Sequence, residues 1–373
     1  MRLVFVPLVA LAAAACSSGT PAKPDGAAGA TGTAGQGGLS GGAGATAGQG
    51  GGAAGAAGSD AAAGSGAAGS VDAGMDSGAD GGSMQLTEFD VPTPNAGPWG
   101  ISVGADGAMW FTELVAGKIG RITTAGQITE YPIATPNSAP FGIVMARDFN
   151  VWFTEEFGNK IGRIERGGEI TEFDVPTKSA NLEGIEQGTD ALYFAEADVN
   201  KIGRITTEGA VTELPITTPQ SYPSYLTLAP DGHVWFTEAF GKIGFVGGDG
   251  SITDYTVPTP GSGPVGITTG PDGALWFAEG AGHGVGRSTL TGTITSFPLM
   301  PATAMPVSLV TSNGALWITE QTGNQIVRMT MTGDTTSYPL PTPHAFPAHI
   351  IVGPDKALWF TENIANKIAR LAL

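Results

Sequence analysis

The chain has 373 residues, with 34 acidic against 17 basic side chains and a net charge of −17. That balance argues against nucleic acid or an anionic lipid surface as a partner, because phosphates must be met by cations. A single cysteine excludes any intrachain disulfide.

Residues 1–16 carry Arg2, an apolar run from Leu3 to Ala15, and then Cys16. This has the length and order of a secretory signal and is too short to span a bilayer. The run Leu11-Ala12-Ala13-Ala14-Ala15-Cys16 resembles a bacterial lipobox, which implies acylation of Cys16 and a membrane anchor there. The alternative is an ordinary signal peptide cleaved near Ala15. Ser17 stands where an inner-membrane retention aspartate would follow the cysteine, so the expected location is the outer membrane or cell surface.

Residues 17–83 are nearly all Gly, Ala, Ser and Thr, without one aromatic residue. Such composition buries too little apolar area to offset chain entropy, and it predicts a disordered tether. At 5–6 Å times the square root of its length, the tether would span about 40–50 Å.

From about residue 84 to the end, one phrase returns seven times. A bulky ring, an apolar residue, a small residue and a glutamate stand at Trp110–Glu113, Trp152–Glu155, Tyr193–Glu196, Trp235–Glu238, Trp276–Glu279, Trp317–Glu320 and Trp359–Glu362. A period of about 40 residues with strand patterning marks a propeller built of four-stranded blades. The prediction is therefore an all-β, seven-bladed β-propeller over 84–373. In the fifth repeat the strands read Val265 to Gly270, Ala274 to Glu279, Gly284 to Ser288 and Thr293 to Pro298, with turns at Pro271-Asp272-Gly273 and Leu290-Thr291-Gly292. The last repeat ends at Leu373 after three strands, while Leu86–Pro94 has the sequence of a fourth. The N-terminal strand is thus expected to complete the final blade and close the ring without a covalent bond. The protein is expected to be a monomer.

Repetition separates structural residues from functional candidates. The seven terminal glutamates recur in every blade and read as structural, paired with recurring basic residues such as Lys118, Lys160, Lys201, Lys242 and Lys367. Because adjacent strands run antiparallel, the start of each first strand and the end of each second strand meet at one mouth of the channel. There the blades place Trp99, Phe141, Glu183, Ser224, Val265, Val307 and Ala348. An apolar floor of Trp99, Phe141, Val265 and Val307 with one acid, Glu183, suits an apolar small molecule or peptide with few polar handles. Tyr222, Tyr225 and Phe346 complete the candidate ligand site. His344 and His349 flank Phe346-Pro347-Ala348, and no histidine pair has the spacing of a dedicated metal site.

The phrases Trp-Phe-Thr-Glu, Asn-Lys-Ile-Gly-Arg-Ile and Ile-Thr-Glu-Phe-Asp-Val-Pro-Thr make 84–373 resemble the streptogramin B (virginiamycin B) lyases. Membership in that family implies a seven-bladed propeller that opens a cyclic depsipeptide antibiotic by elimination. It further implies a histidine base and magnesium held by glutamates. Carried over position by position, the sixth-blade histidine falls on Val307. The last-blade Glu-Pro-His falls on Phe346-Pro347-Ala348, and the second metal-binding glutamate falls at or next to Glu362. Valine and alanine cannot take a proton, so the resemblance implies a kept scaffold with its chemistry lost or replaced. On strict strand alternation His349 points away from the channel.

Three functions follow. The first is a surface-anchored propeller that binds a ligand or partner at the mouth. The second is an active carbon–oxygen lyase, with His349 or His344 as base and Glu362 helping to hold magnesium. The third is a metal-dependent lactonase-like hydrolase using Glu183, Glu186 or Glu196, which the count of seven repeats disfavours because the familiar lactonase propellers have six.

Overall fold

The computed structural model describes residues 70–75 and 84–373, so the segment read as a signal, Cys16 and most of the segment read as a tether lie outside the described residues. Seven antiparallel sheets follow one another around a ring, six of four strands and one of five. Blade 1 comprises Pro98–Val103, Met109–Glu113, Lys118–Ile122 and Ile128–Pro132. Blades 2 to 6 repeat that order through Thr335–Pro339. Blade 7 is Pro347–Val352, Leu358–Glu362 and Lys367–Ala372, completed by Met84–Asp90 in antiparallel register from Gln85↔Ala372 to Asp90↔Lys367.

Each letter of the repeated phrase has a physical task. The tryptophan and phenylalanine point to opposite faces of the second strand. Both are buried, because a blade is packed between two neighbours. Phe111 lies so close to the third strand that a Cβ on Gly120 would sit 2.1 Å from its ring, which is why that strand reads Lys-Ile-Gly-Arg-Ile. The threonine ties blades together: Thr112 Oγ1 accepts from Gly100 N at 2.8 Å and donates to Phe141 O of the next blade at 2.9 Å. At the seam of the ring, Thr361 Oγ1 donates to Trp99 O at 2.6 Å.

A second node, complete in blades 1, 5 and 7, stands at the opposite end of the blade. Asp106, in the turn between the first two strands, accepts from Trp110 Nε1 at 3.2 Å and from Arg121 Nε at 2.6 Å. Arg121 also lies over the Trp110 ring. Burial alone would raise the Asp106 pKa, but these donors hold it below the usual carboxylate range. In blade 6 the turn tightens to Asn313-Gly314, both at positive φ, and the buried Trp317 Nε1 has no partner. Asp106→Ala, which leaves an indole N–H and a guanidinium unsatisfied, is expected to cost about 1–3 kcal/mol in urea unfolding.

The expected pairing of basic residues with the terminal glutamates is not what forms. Lys118 Nζ bonds instead to Glu130 of the fourth strand at 2.8 Å, and Lys201 and Lys242 pair likewise with Glu213 and Asp254. The fourth-strand acid reaches farther outward, where the lysine keeps part of its hydration; the terminal glutamate is sealed beneath it. Glu113, Glu155, Glu196, Glu238 and Glu362 are fully buried, and neither carboxyl oxygen of any of them has a hydrogen-bond partner. Burial first, and the neighbouring fourth-strand acid second, push Glu113, Glu155 and Glu362 up to about 8 and Glu196 and Glu238 up to about 7. Glu113, Glu155 and Glu362 are therefore mostly protonated at neutral pH, whereas Glu196 and Glu238 titrate across it.

One strand falls inside the segment read as a tether. Ser70–Met75 pairs antiparallel with Met84–Asp90, from Ser70↔Phe89 to Met75↔Met84, as a fifth strand on blade 7. Composition argues from side-chain burial, whereas an exposed edge offers backbone donors and acceptors to any extended neighbour.

Candidate functional site

Every first strand opens with a register shift, as between Pro98 and Ile101 in blade 1 and between Pro347 and Ile350 in blade 7. This bulge aims two successive residues inward, so simple alternation fails exactly where the mouth begins. The third residue of the strand is usually glycine, because a Cβ there meets the next blade; at Gly100 it would lie 2.5 Å from Phe141 O. Blades 4, 6 and 7 break that rule with Tyr225, Ser308 and His349.

The expected open floor is a packed plug. Trp99 and Phe141 are each only 3% exposed, with ring centroids 5.4 Å apart. Trp99 Nε1 donates to Tyr225 Oη across the channel at 3.1 Å, and Tyr225 lies 5.9 Å from Phe141 and 6.2 Å from His349. Val307 and Ala348 are buried as well. Tyr222, Val265 and Phe346 remain partly accessible. Burying these rings against one another satisfies their apolar area without a ligand, so the floor itself is closed.

His349 does not point away from the channel. The bulge turns it inward, where with Trp99, Phe141, Tyr225 and Glu186 it lines a cavity of about 170 Å³. Its Nδ1 sits 3.1 Å from Ile101 O and 3.2 Å from Ile101 N, and burial pulls its pKa down to about 4. Burial likewise pushes Glu186 up to about 7, although Gln187 N donates to it at 2.8 Å. His344 is exposed on the loop between blades 6 and 7.

The position assigned to magnesium does not fit the ion. Glu362 has two orphan oxygens, but so have Glu113, Glu155, Glu196 and Glu238 in other blades, and across the strand it faces Pro347, between Phe346 and Ala348 in sequence. Among the described residues no three His, Cys, Asp or Glu side chains converge as metal ligands, and that includes Glu183, Glu186 and Glu196.

Sequence reasoning missed the rim. The loops joining second to third strands surround the same mouth, and at their second position stand Val115, Phe157, Phe240 and Ile364, which are 66%, 71%, 54% and 52% exposed. Reading the repeat two residues past each terminal glutamate would have found them. Beside them, on blades 2 to 4, lie Glu156, Glu183, Asp198 and Tyr222. Glu183 is buried and accepts from Ser224 Oγ.

The model of the virginiamycin B lyase family matches residues 79–241 and 304–373. The chain belongs to the virginiamycin B lyase family. A crystal structure of virginiamycin B lyase from Staphylococcus aureus is 39% identical, with a TM-score of 0.75, over 78% of this chain and 99% of that one. A catalytically inactive histidine-to-alanine variant of the S. aureus enzyme, with quinupristin, is 38% identical with a TM-score of 0.74 over 78% and 99% of the two chains. Virginiamycin B lyase of Bacillus licheniformis is 46% identical over 43 residues, 12% of this chain and 15% of its own length. The matched segment therefore spans under a sixth of that curated relative. Among the described residues no helix is long and apolar enough to cross a membrane.

Proposed function

We propose that this member of the virginiamycin B lyase family is a binding propeller, taking an apolar, ring-bearing small molecule or peptide at its channel mouth without opening it. The observation that carries the reading is hydrocarbon at the catalytic positions of the resemblance, Val307, Phe346 and Ala348, inside a rim of exposed Phe157 and Phe240. The S. aureus variant supports it, since loss of one histidine leaves that enzyme inactive and it is seen with quinupristin. Export with a lipid anchor at Cys16 belongs to the same reading and rests on the apolar run before that cysteine.

The lyase alternative places its base at His349. That ring lies in a cavity of about 170 Å³ behind the aromatic plug, well short of the roughly 300–1,000 Å³ that a drug-sized ligand occupies.

Calorimetric titration of the full chain with quinupristin tests the proposal. Binding is expected to be indifferent to magnesium chelation, and Phe157→Ala with Phe240→Ala is expected to weaken it about tenfold, or 1.4 kcal/mol. Absence of binding, or binding that requires magnesium, contradicts it.

A further inference from the structure

One side of the mouth carries acceptors with nothing to accept from. Glu156 follows the terminal glutamate of blade 2, where the other blades place Leu114, Ala197, Ala239, Gly280, Gln321 and Asn363. It is 6% exposed, and its Oε2 has no hydrogen-bond partner. Asn181, 8% exposed, donates from Nδ2 to Tyr222 Oη at 2.8 Å, which fixes its amide in the same cluster; its Oδ1 is also without a partner. Glu183 and Asp198 both act electrostatically on Glu156, and no lysine or arginine forms an ion pair with any of the three acids among the described residues.

Burying the Glu156 carboxyl oxygen and the Asn181 carbonyl without a donor is unfavourable unless a cation or hydrogen-bond donor completes the set. Burial first, and the acids Glu183 and Asp198 second, push Glu156 up to about 8, so a partner that supplies donors and positive charge would complete the set by drawing off that proton. A metal ion is the poorer fit, because these groups do not converge as a ligand set. Aromatic rings flank them instead: Phe157 adjoins Glu156 in sequence and is 71% exposed, and Phe240 meets Tyr222 edge to face at 6.4 Å. Carboxylates beside aromatic faces are the usual surroundings of an organic ammonium.

We propose that Glu156 and Asn181, with Glu183 and Asp198 adding negative potential beside them, bind the ammonium group of a cationic amphiphile whose apolar body lies against Phe157 and Phe240. The assignment rests on the mouth-binding reading above and adds a charge requirement to it. The cluster lies on blades 2 and 3, across the channel from Val307, Ala348 and Glu362, so it does not depend on the family's catalytic positions.

The test is fluorescence titration of the full chain with dansylcadaverine, an apolar ring carrying a primary ammonium, and with its N-acetyl derivative, which lacks the charge. The amine is expected to bind at least about tenfold tighter than the acetylated probe. Glu156→Gln should remove most of that difference, with affinity for the acetylated probe unchanged, and Phe157→Ala should weaken both probes. Millimolar magnesium should not displace the amine. Equal affinity for the two probes, an unchanged preference in Glu156→Gln, or displacement by magnesium overturns the ammonium site while leaving mouth binding intact. If neither probe binds, both readings fail together.

Discussion

Leu86→Ala combined with Phe89→Ala should open the ring. Leu86 is buried between blades 6 and 7, and Phe89 between blades 7 and 1. The strand that carries them is joined to the rest of blade 7 by no local chain connection, only by its register with Lys367–Ala372. Glu88 anchors it further by accepting from Thr342 Oγ1 at 2.5 Å, and Lys367 bonds Asp90 at 2.6 Å. Large-to-small changes at such sites cost about 2–5 kcal/mol each, and together they approach the whole stability of an ordinary domain, about 5–15 kcal/mol. The expected result is a large drop in urea midpoint with loss of the Trp359 environment, since Phe89 stacks on Trp359 at 5.8 Å. Gln85→Ala, an exposed position on the same strand, should be nearly silent. A double variant within a few tenths of a kcal/mol of the parent would show that the closing strand is dispensable.

Stability should fall as pH rises from acidic to mildly alkaline. Glu113, Glu155 and Glu362 release their protons near pH 8 when folded, and Glu196 and Glu238 near 7, against an ordinary value of 4.5. The folded state thus binds more protons than the unfolded state across that interval. The contribution of these groups is complete below 4.5 and is lost progressively until about 8. Asp106, Asp272 and Asp355 work the other way: burial opposes ionisation there, but hydrogen bonds from arginine and tryptophan win and lower their pKa values. Their stabilisation is present above 3.8 and disappears only in stronger acid. The urea midpoint should accordingly peak near about pH 5 and be clearly lower at about pH 8.5. Glu113→Gln keeps shape and neutrality, so it should raise the midpoint at the higher pH more than at the lower. A midpoint that climbs from pH 5 to 8.5 would mean that these carboxyls ionise without penalty.

The fold was written in the sequence because its determinants are local and repeated. Ring, apolar residue, small residue and glutamate recur at one spacing, and most copies do the same task from blade to blade, with Ala195 and Ala278 standing in for threonine. The lysine partner was legible too: Glu130, Glu172, Glu213 and Asp254 each stand twelve residues after Lys118, Lys160, Lys201 and Lys242. The mouth was harder. Whether Trp99 and Phe141 form a platform or a plug depends on Tyr225, which comes from a blade more than eighty residues away. The inward turn of His349 depends on a bulge that leaves no mark in composition. The acidic cluster gathers side chains from separate loops, and only the folded ring brings them together.

Product analysis decides the central claim most directly. The full chain is incubated with quinupristin and magnesium, and the antibiotic is followed by chromatography with mass detection. Elimination opens the macrocycle without changing its mass, whereas hydrolysis adds one water, so retention and mass together distinguish the two. With alanine, valine and phenylalanine at the catalytic positions, quinupristin should be recovered intact at its original retention. A ring-opened isomer, formed by the parent chain and abolished by His349→Ala, would contradict the account.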